Sequence, residues 1–582
     1  MKIYSVNYKS ASNDDVDTPA SFWEKLLLSL IVFSVISRIF IMARYEVNWD
    51  EFYYLSFVSQ YLNNHLDKAL QTFHVHFFSW LELVSSNEVN QIVAARAIML
   101  LLQLATGLII YRISHRFMDK SAALFSVLSY FCVSYVLKTG ASFRVDPIAT
   151  FLLMASLDLI LLNSKRIKYS ILIGALLALS LMITIKSALY FPTIALIAAV
   201  LLYDSDERRG DILRFIATAI SAVLFCGLLY AFHKLSINIE TVGNDISIMS
   251  GGFNKTLNHN VFFPIKIFMF HSVIVDFVFW ITFTYGFMIT VFSFKKGERM
   301  IVPPINAMLL LTFVLPLLSV LVYRNAFPYF YAFMLAPASV FCGIAWHSIL
   351  NINKSQKINF IASLIVLLLF VNTISNGFVF PYRKNLDRQR ALLEVIHKAF
   401  PNPVKYFDRC SMVSSFPQVG FFMSTWGVEN YRQAGVAVIA ESIKKQKPVF
   451  FIANTALLDL SGDPGRNTKL NNGLLHSDEL AIQDNYIHHW GEIYVAGKQF
   501  YLEEDGAEEQ FSLLIEGIYT LEGESEVFID NTLIKPGKTV DLLVGSHAIK
   551  AKDNKGSYTL RWGDKLYRPK TQPQAKAIFN GF

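Results

Sequence analysis

The sequence NWDEFYY at residues 48–54 follows directly on an apolar stretch, residues 26–43, that is long enough to cross a lipid bilayer. It contains two adjacent carboxylates, Asp50 and Glu51. A carboxylate next to hydrocarbon is costly unless it faces water, a partner or a substrate. These acids therefore belong either to a functional site at the membrane surface or to an ordinary helix end in headgroup water. The remaining sequence favours the functional site.

The composition is that of a polytopic α-helical membrane protein. The chain of 582 residues has 53% hydrophobic and only 17% charged residues, with 49 Phe and a mean hydropathy of +0.40, which is too apolar for a soluble protein. Its net charge of +7 is not gathered into a basic helix or finger, so no nucleic acid partner is expected. Three of the four cysteines lie in apolar segments and Cys410 stands alone, which predicts neither a disulfide framework nor a zinc site.

Apolar segments of membrane-spanning length predict about eleven transmembrane helices. They lie near residues 24–43, 92–111, 121–138, 147–162, 169–185, 188–203, 212–232, 263–293, 302–322, 328–349 and 357–379. Alternate short loops are rich in Lys and Arg, which marks the cytoplasmic side. The opposite loops hold Asp50, Glu51, Lys186, Arg324 and residues 138–146 and 233–262, so any chemistry is expected at the outer face.

The predicted organisation has three parts. Residues 1–380 form the transmembrane domain, whose long first outer loop, 44–91, has the apolar spacing of a helix lying on the membrane surface. Residues 381–505 alternate short apolar runs with helical stretches and predict an extracytoplasmic α/β domain. Residues 506–582 predict a small β-sandwich module, for which glycan binding and a purely structural role are both open.

Several motifs occur in an order that resembles a known family. Residues 50–54 (DEFYY), 94–96 (AAR), 111–112 (YR) and 144–153 (RVDPIATFLL) together look like the N-terminal half of GT-C-type membrane glycosyltransferases. The nearest resemblance is to the protein O-mannosyltransferase-like group that includes the lipid A aminoarabinose transferases, and it covers roughly residues 20–200. The segments 184–187 (TIKS) and 324–331 (RNAFPYFY) resemble two further features of this group.

The resemblance implies transfer of a sugar from a polyprenyl-phosphate donor to an acceptor at the outer face, usually with inversion. Asp50 matches the family's loop carboxylate and is the predicted base, and Glu51 shares this role or holds a sugar hydroxyl. A base must reach the proton of an acceptor hydroxyl. If the acceptor is instead a phosphate, the carboxylate orients the sugar.

The leaving lipid phosphate needs cations near the outer leaflet. Arg144, Lys186 and Arg324 are the predicted phosphate-binding residues, with snorkelling to headgroups or pairing with neighbours as the alternative. Further predicted substrate contacts are Tyr53, Tyr54, Asp146, His259 and Tyr329; Asp146 also suits a purely structural role as a helix cap.

The sequence thus predicts a polyprenyl-phosphate-sugar-dependent glycosyltransferase in a bacterial inner membrane, with its C-terminal region in the periplasm or outside the cell. Its expected partners are membrane lipids, the lipid-linked sugar and an envelope lipid, glycan or protein acceptor. No protein-bound metal site is predicted, although a divalent cation between the lipid phosphate and Asp50 or Glu51 is compatible with the sequence. A lipid-linked glycan flippase or transporter is the alternative, and it would carry charges along a path through the membrane. The sugar and the acceptor stay open.

Overall fold

The structure is a computed structural model that describes residues 19–237, 262–296, 303–352, 356–381, 386–459, 473–503, 507–552, 556–573 and 578–579. An α-helical part comes first along the chain and a mixed α/β and β part follows it. The helices of the first part are α1 (Pro19–Arg44), α2 (Trp49–Leu62), α3 (Val75–Phe78), α4 (Glu88–His115), α5 (Lys120–Cys132), α6 (Ser134–Thr139), α7 (Val145–Leu161), α8 (Ile167–Ile183), α9 (Phe191–Tyr203), α10 (Arg208–Ser236), α11 (Lys266–Val275), α12 (Phe277–Lys296), α13 (Pro304–Leu311), α14 (Leu315–Leu318), α15 (Phe330–Ala338), α16 (Val340–Ile352) and α17 (Gln356–Ile374).

Six helical segments in the described residues are long and apolar enough to span a membrane, and two bent helix pairs raise this number to eight. The predicted fold class, a polytopic helical membrane protein with a C-terminal α/β and β region, is confirmed. The count of about eleven spans is not confirmed. Several predicted spans are shorter helices or are broken. The mean hydropathy of a segment does not show where a helix ends or bends.

The clearest break lies in the predicted span 263–293, where α11 and α12 meet at 94°. Asp276 occupies the bend and is buried. Its carboxylate accepts hydrogen bonds of 2.8 Å from both the backbone N–H and the hydroxyl of Ser134, and further bonds from Ser272 and Asn372. A buried carboxylate needs such partners, so the bend is fixed by a polar group inside an otherwise apolar stretch.

Helix α2 positions the first outer loop, and its start is encoded locally. Asn48 accepts a hydrogen bond from the backbone N–H of Asp50 at 3.0 Å, and the Glu51 carboxylate accepts one from the backbone N–H of Asn48, also at 3.0 Å. This reciprocal capping satisfies backbone donors that the first helical turn leaves open. The inner face of α2, with Phe52, Leu55 and Val58, is buried in an apolar core shared with α4 and the C-terminal region.

In the residues that the structure describes, the C-terminal region contains four helices and two sheets. Its helices are α18 (Leu386–Ala399), α19 (Thr425–Ala434), α20 (Val438–Gln446) and α21 (His476–Asn485), and its strands are β1 (Tyr406–Phe407), β2 (Phe450–Ile452), β3 (Tyr486–Trp490), β4 (Ile493–Leu502), β5 (Glu508–Leu513), β6 (Gly517–Glu522), β7 (Val527–Ile529), β8 (Thr532–Ile534), β9 (Thr539–Leu542), β10 (Gly545–Ala551) and β11 (Gly556–Trp562). One sheet has the order β1-β2-β4-β11-β6-β9, with β3 also on β4, and the other has the order β5-β10-β7-β8. The predicted boundary between residues 505 and 506 falls between β4 and β5, yet β4 pairs with β11 beyond it. The division into two C-terminal domains stays a prediction.

Polar contacts hold the C-terminal region against the helical part beside α2. The amide of Gln389 on α18 donates to the Val47 carbonyl and accepts from the Val47 N–H, both at 2.8 Å. The same Gln389 amide donates to the Ile578 carbonyl at 3.2 Å. His397 of α18 contacts Glu88, the first residue of α4, at 3.0 Å. The C-terminal region is thereby held next to the NWDEFYY segment.

Candidate active site

A chain of alternating charges lies at the N-terminus of α2. Asp50 pairs with the Nη1 of Arg144, the residue that precedes α7. The Nε of Arg144 lies 3.3 Å from Asp146, and the Lys186 Nζ lies 2.6 Å from the other oxygen of Asp146. The structure therefore brings together Asp50, Arg144, Asp146 and Lys186, which are distant in sequence.

Burial and neighbouring charges act on the pKa of Arg144 in opposite directions. The side chain of Arg144 is 5% exposed, that of Asp146 2%, and that of Asp50 16%. Burial alone would lower the pKa of Arg144, but the charge of Asp50, followed by Tyr329 and Asp146, raises it well above its usual range. Two cations and two carboxylates thus form a compact cluster in which Asp50 is the most accessible acid.

Aromatic rings surround the cations. The Arg144 guanidinium lies 3.5 Å from the ring centre of Tyr329, and the Lys186 ammonium lies 4.9 Å from the same centre. The ring centre of Tyr54 lies 5.6 Å from the Arg144 guanidinium. These cation–π contacts fix the direction of both cations. Tyr53 instead stacks on Phe422 of the C-terminal region, with ring centres 4.0 Å apart.

Glu51 points away from this cluster into the protein. One carboxylate oxygen accepts from the Arg96 Nε at 2.8 Å and from the Phe143 N–H at 2.7 Å, and the other accepts from the Arg96 Nη2 and the Asn48 N–H. Burial would raise the pKa of Glu51, but Arg96 and these hydrogen bonds hold it below its usual value. Both oxygens have internal partners, which fits a structural role better than a reacting one.

Arg324 does not join the cluster. Arg324 pairs with Glu429 of α19 at 2.7 Å, and its guanidinium lies 3.2 Å from the ring centre of Trp426. It thus connects the membrane part to the C-terminal region. Its neighbours Tyr323 and Asn325 line the cavity described next. His259 lies outside the residues that the structure describes.

A cavity of about 1260 Å³ extends from the charged cluster. Asp50, Arg144 and Lys186 line its polar end together with Tyr53, Tyr54 and Tyr329. The remaining wall is mainly apolar and comes from α8, α9 and α10, with Leu177, Leu181, Met182, Phe191, Ile194, Ala195, Ala198, Phe215, Ala219, Ala222, Val223 and Cys226. Only 11% of the most apolar 18-residue stretch of helix α10 is buried inside the protein. The polar end and the apolar wall of this cavity fit a ligand that has a charged head and a long apolar tail.

The sequence did not single out the C-terminal residues of this cavity. Four residues of the C-terminal region also line the cavity: Phe422, Ser424, Thr425 and Trp426. They follow no recognisable motif, and only the tertiary fold brings them to α2. Among the described residues, no three His, Cys, Asp or Glu side chains come together as metal ligands.

Comparison with known proteins identifies this architecture. Residues 77–232 match the family model described as dolichyl-phosphate-mannose-protein mannosyltransferase. The fold resembles that of the oligosaccharyltransferase AglB from Archaeoglobus fulgidus, solved with an inhibitory peptide and a dolichol-phosphate, with a TM-score of 0.56 and 10% identity over 93% of this chain and 97% of that chain. Residues 77–232 resemble a domain of the GT-C glycosyltransferases, and the fold of the chain is similar to that of AglB. The predicted family resemblance is thus confirmed.

Two further solved structures are similar to the chain. The A. fulgidus oligosaccharyltransferase tethered to an acceptor peptide has a TM-score of 0.50 and 12% identity over 82% of this chain and 73% of that chain. ArnT from Cupriavidus metallidurans, bound to undecaprenyl phosphate, has a TM-score of 0.49 and 12% identity over 74% of this chain and 93% of that chain. No curated protein sequence matches the chain.

Proposed function

We propose that this protein is a GT-C glycosyltransferase that transfers a hexose or pentose from a polyprenyl-phosphate donor to an envelope lipid, glycan or protein acceptor at the outer face of a bacterial inner membrane. The cavity carries this proposal, because its charged end and apolar wall match the two halves of such a donor. In this arrangement the C-terminal region is periplasmic or extracellular. Charges gathered at one end of the cavity suit a single reacting centre better than a transport path.

Arg144 and Lys186 bind the donor phosphate in this mechanism. Asp50 accepts a hydrogen bond from the Nη1 of Arg144, and Asp146 accepts one from its Nε. The third nitrogen of the guanidinium, Nη2, forms no hydrogen bond with the described residues. The Lys186 ammonium forms one hydrogen bond with the described part of the chain, to Asp146, and an ammonium carries three donors. Asp146 holds both cations in place. When the bond between C1 of the sugar and the phosphate oxygen breaks, the phosphate keeps the electron pair and both cations stabilise the added charge.

Asp50 acts on the acceptor. Its carboxylate is held by Arg144 and lines the cavity, so it can accept the proton of an acceptor hydroxyl while that oxygen bonds to C1 from the side opposite the phosphate. This displacement inverts the anomeric centre. Glu51, through Arg96, positions α2 and does not react. Orientation of the reacting groups by rigid elements is a major part of such catalysis.

The test is transfer of radiolabelled sugar from a panel of polyprenyl-phosphate donors by purified protein in the presence of envelope extracts. Asp50→Asn is expected to lower the rate by roughly 10²–10⁴-fold, the usual contribution of a general base. Asp67→Asn is the matched control, because Asp67 is exposed on the same outer loop. Arg144→Gln and Lys186→Gln should weaken donor binding. Equal transfer by wild type and Asp50→Asn would remove the proposed base, and no transfer by the wild type from any donor would contradict the function.

A further inference from the structure

A second groove adjoins the cavity in the C-terminal region. It has a volume of about 720 Å³ and lies between Arg409, in the loop after β1, and helix α19. Ser424, Thr425 and Trp426 line both the groove and the cavity. The two spaces are therefore neighbours, and a molecule in the groove lies beside the outer rim of the proposed catalytic site.

Arg409 is the unusual residue of this groove. Its guanidinium lies 3.7 Å from the ring centre of Trp49, the residue before Asp50. Its Nε is buried and has no hydrogen-bond partner, and its side chain forms no ion pair with the part of the chain that the structure describes. Leaving a buried charged group without a partner is costly. A stacked, partly buried arginine without a carboxylate is therefore prepared to bind an external anion.

The acids near Arg409 do not neutralise it, because other groups hold them. Asp50, whose charge acts on Arg409, pairs with Arg144. The Asp408 carboxylate accepts from the backbone N–H groups of Cys410, Ser411 and Met412 and from the Asn454 amide, at 2.8–3.0 Å. Glu429, the only acid that lines the groove among the described residues, pairs with Arg324.

Arg432 adds a second cation to the groove lining and donates to the Gly473 carbonyl at 3.2 Å. Among the described residues of the groove lining, the one carboxylate is therefore already paired with Arg324. The Arg409 guanidinium, which forms no ion pair with the described residues, favours an anionic ligand.

We propose that this groove is the acceptor subsite and that the acceptor is a glycolipid carrying a phosphate or carboxylate group, which Arg409 binds. The inference rests on the proposed function and specifies its acceptor. Because Arg409 stacks on Trp49, an anionic group bound there lies close to Asp50, and a neighbouring hydroxyl of the same acceptor can reach that carboxylate. Arg409 does not line the donor cavity, so it positions the acceptor and is separate from the residues that bind the donor phosphate.

The experiment uses full-length purified protein, a radiolabelled polyprenyl-phosphate sugar, and envelope lipids separated by anion exchange into acidic and neutral glycolipids. The wild type is expected to label the acidic fraction. Arg409→Gln should lower labelling at limiting acceptor by at least roughly tenfold, the loss expected for charge-assisted hydrogen bonds. The donor KM and the thermal unfolding midpoint should stay unchanged, which shows that the variant still binds the donor and is folded. Arg409→Lys should recover part of the rate because it keeps the charge.

Arg568→Gln is the matched control, since Arg568 pairs with Glu522 in the C-terminal β part, away from the groove lining. Labelling of neutral glycolipid or of protein alone by the wild type would overturn the acceptor assignment. Unchanged labelling of the acidic fraction by Arg409→Gln would overturn the role of Arg409, as would a loss caused by a raised donor KM. If the wild type transfers sugar to no fraction, the proposed function fails instead.

Discussion

Two adjacent acids on the first turn of α2 have different environments. Successive side chains on an α-helix point about 100° apart, so Asp50 faces the cavity while Glu51 faces α4. The sequence places both near a membrane surface but does not distinguish them. The difference depends on Arg96, which lies on another helix and binds both oxygens of Glu51.

Glu51→Gln is expected to destabilise the protein more than it affects the chemical step. The substitution removes the charge that compensates Arg96, whose side chain is only 4% exposed, and breaking a buried ion pair from one side costs about 3–5 kcal/mol. Thermal unfolding of purified protein measures this loss, and Arg96→Gln should lower the midpoint similarly. The double variant should recover part of the stability. A Glu51→Gln protein with wild-type stability and no transfer would instead assign Glu51 to the reaction.

Residue-level prediction from the sequence was partial for a physical reason. The grouping of Arg144 and Lys186 near Asp50 follows from their positions at helix ends on one side of the membrane, although their catalytic roles stay predictions. Arg324 satisfies the same criterion, but it pairs with Glu429 on a helix of the C-terminal region. Arg409 has no flanking motif. Pairing between distant segments depends on tertiary contacts that a single sequence does not display.

At the scale of elements, close helix packing depends on small residues. Gly286 of α12 faces the backbone of α16, where an added Cβ would lie 1.9 Å from the Phe341 carbonyl oxygen. The two helices therefore approach each other at a point where no larger side chain fits without a shift. Small residues commonly allow such approach between membrane helices.

Gly286→Ala is expected to destabilise the helical part, because α12 and α16 must separate to admit the methyl group. Overpacking of this kind costs about 1–3 kcal/mol, which should appear as a lower thermal unfolding midpoint. Gly227→Ala on α10 is the matched control, since its added Cβ meets nothing within 4 Å and alanine is the better helix former. Equal midpoints for the two variants would show that the α12–α16 contact adapts without cost.

Element boundaries show where hydropathy stops being informative. The predicted span 263–293 contains the 94° bend. Asp276 lies at that bend, and the sequence alone does not show which residue pairs with it. Its role required Ser134, which lies on a different helix. A similar limit applies to α15 and α16, which bend by 41° near Pro337.

At the scale of the whole molecule, the C-terminal region rests on the helical part through a contact that titrates. Burial alone would lower the pKa of His397, but the hydrogen bond and charge of Glu88 raise it above its usual value. A raised folded-state pKa stabilises the protein at low pH. The contribution is complete below about pH 6.5, the usual histidine pKa, and it is lost as the pH rises through the folded-state value.

The difference between the thermal unfolding midpoints of the wild type and of His397→Gln should therefore become smaller as the pH rises. Thermal unfolding across about pH 5.5 to 8.5 covers the usual range of histidine titration. Glu88→Gln should remove the same pH dependence, because His397 then has no carboxylate partner. A difference that stays constant with pH would mean that the protonated form of His397 does not strengthen the docking.

The order of strands has a consequence for biosynthesis. Among the described strands, β11 is the last in sequence order, and it lies between β4 and β6 in the larger sheet. During synthesis β4 and β6 are therefore made before the strand that pairs with both of them. We expect the cavity rim beside Asp50, which the C-terminal region helps to form, to take its final shape only after β11 has joined that sheet.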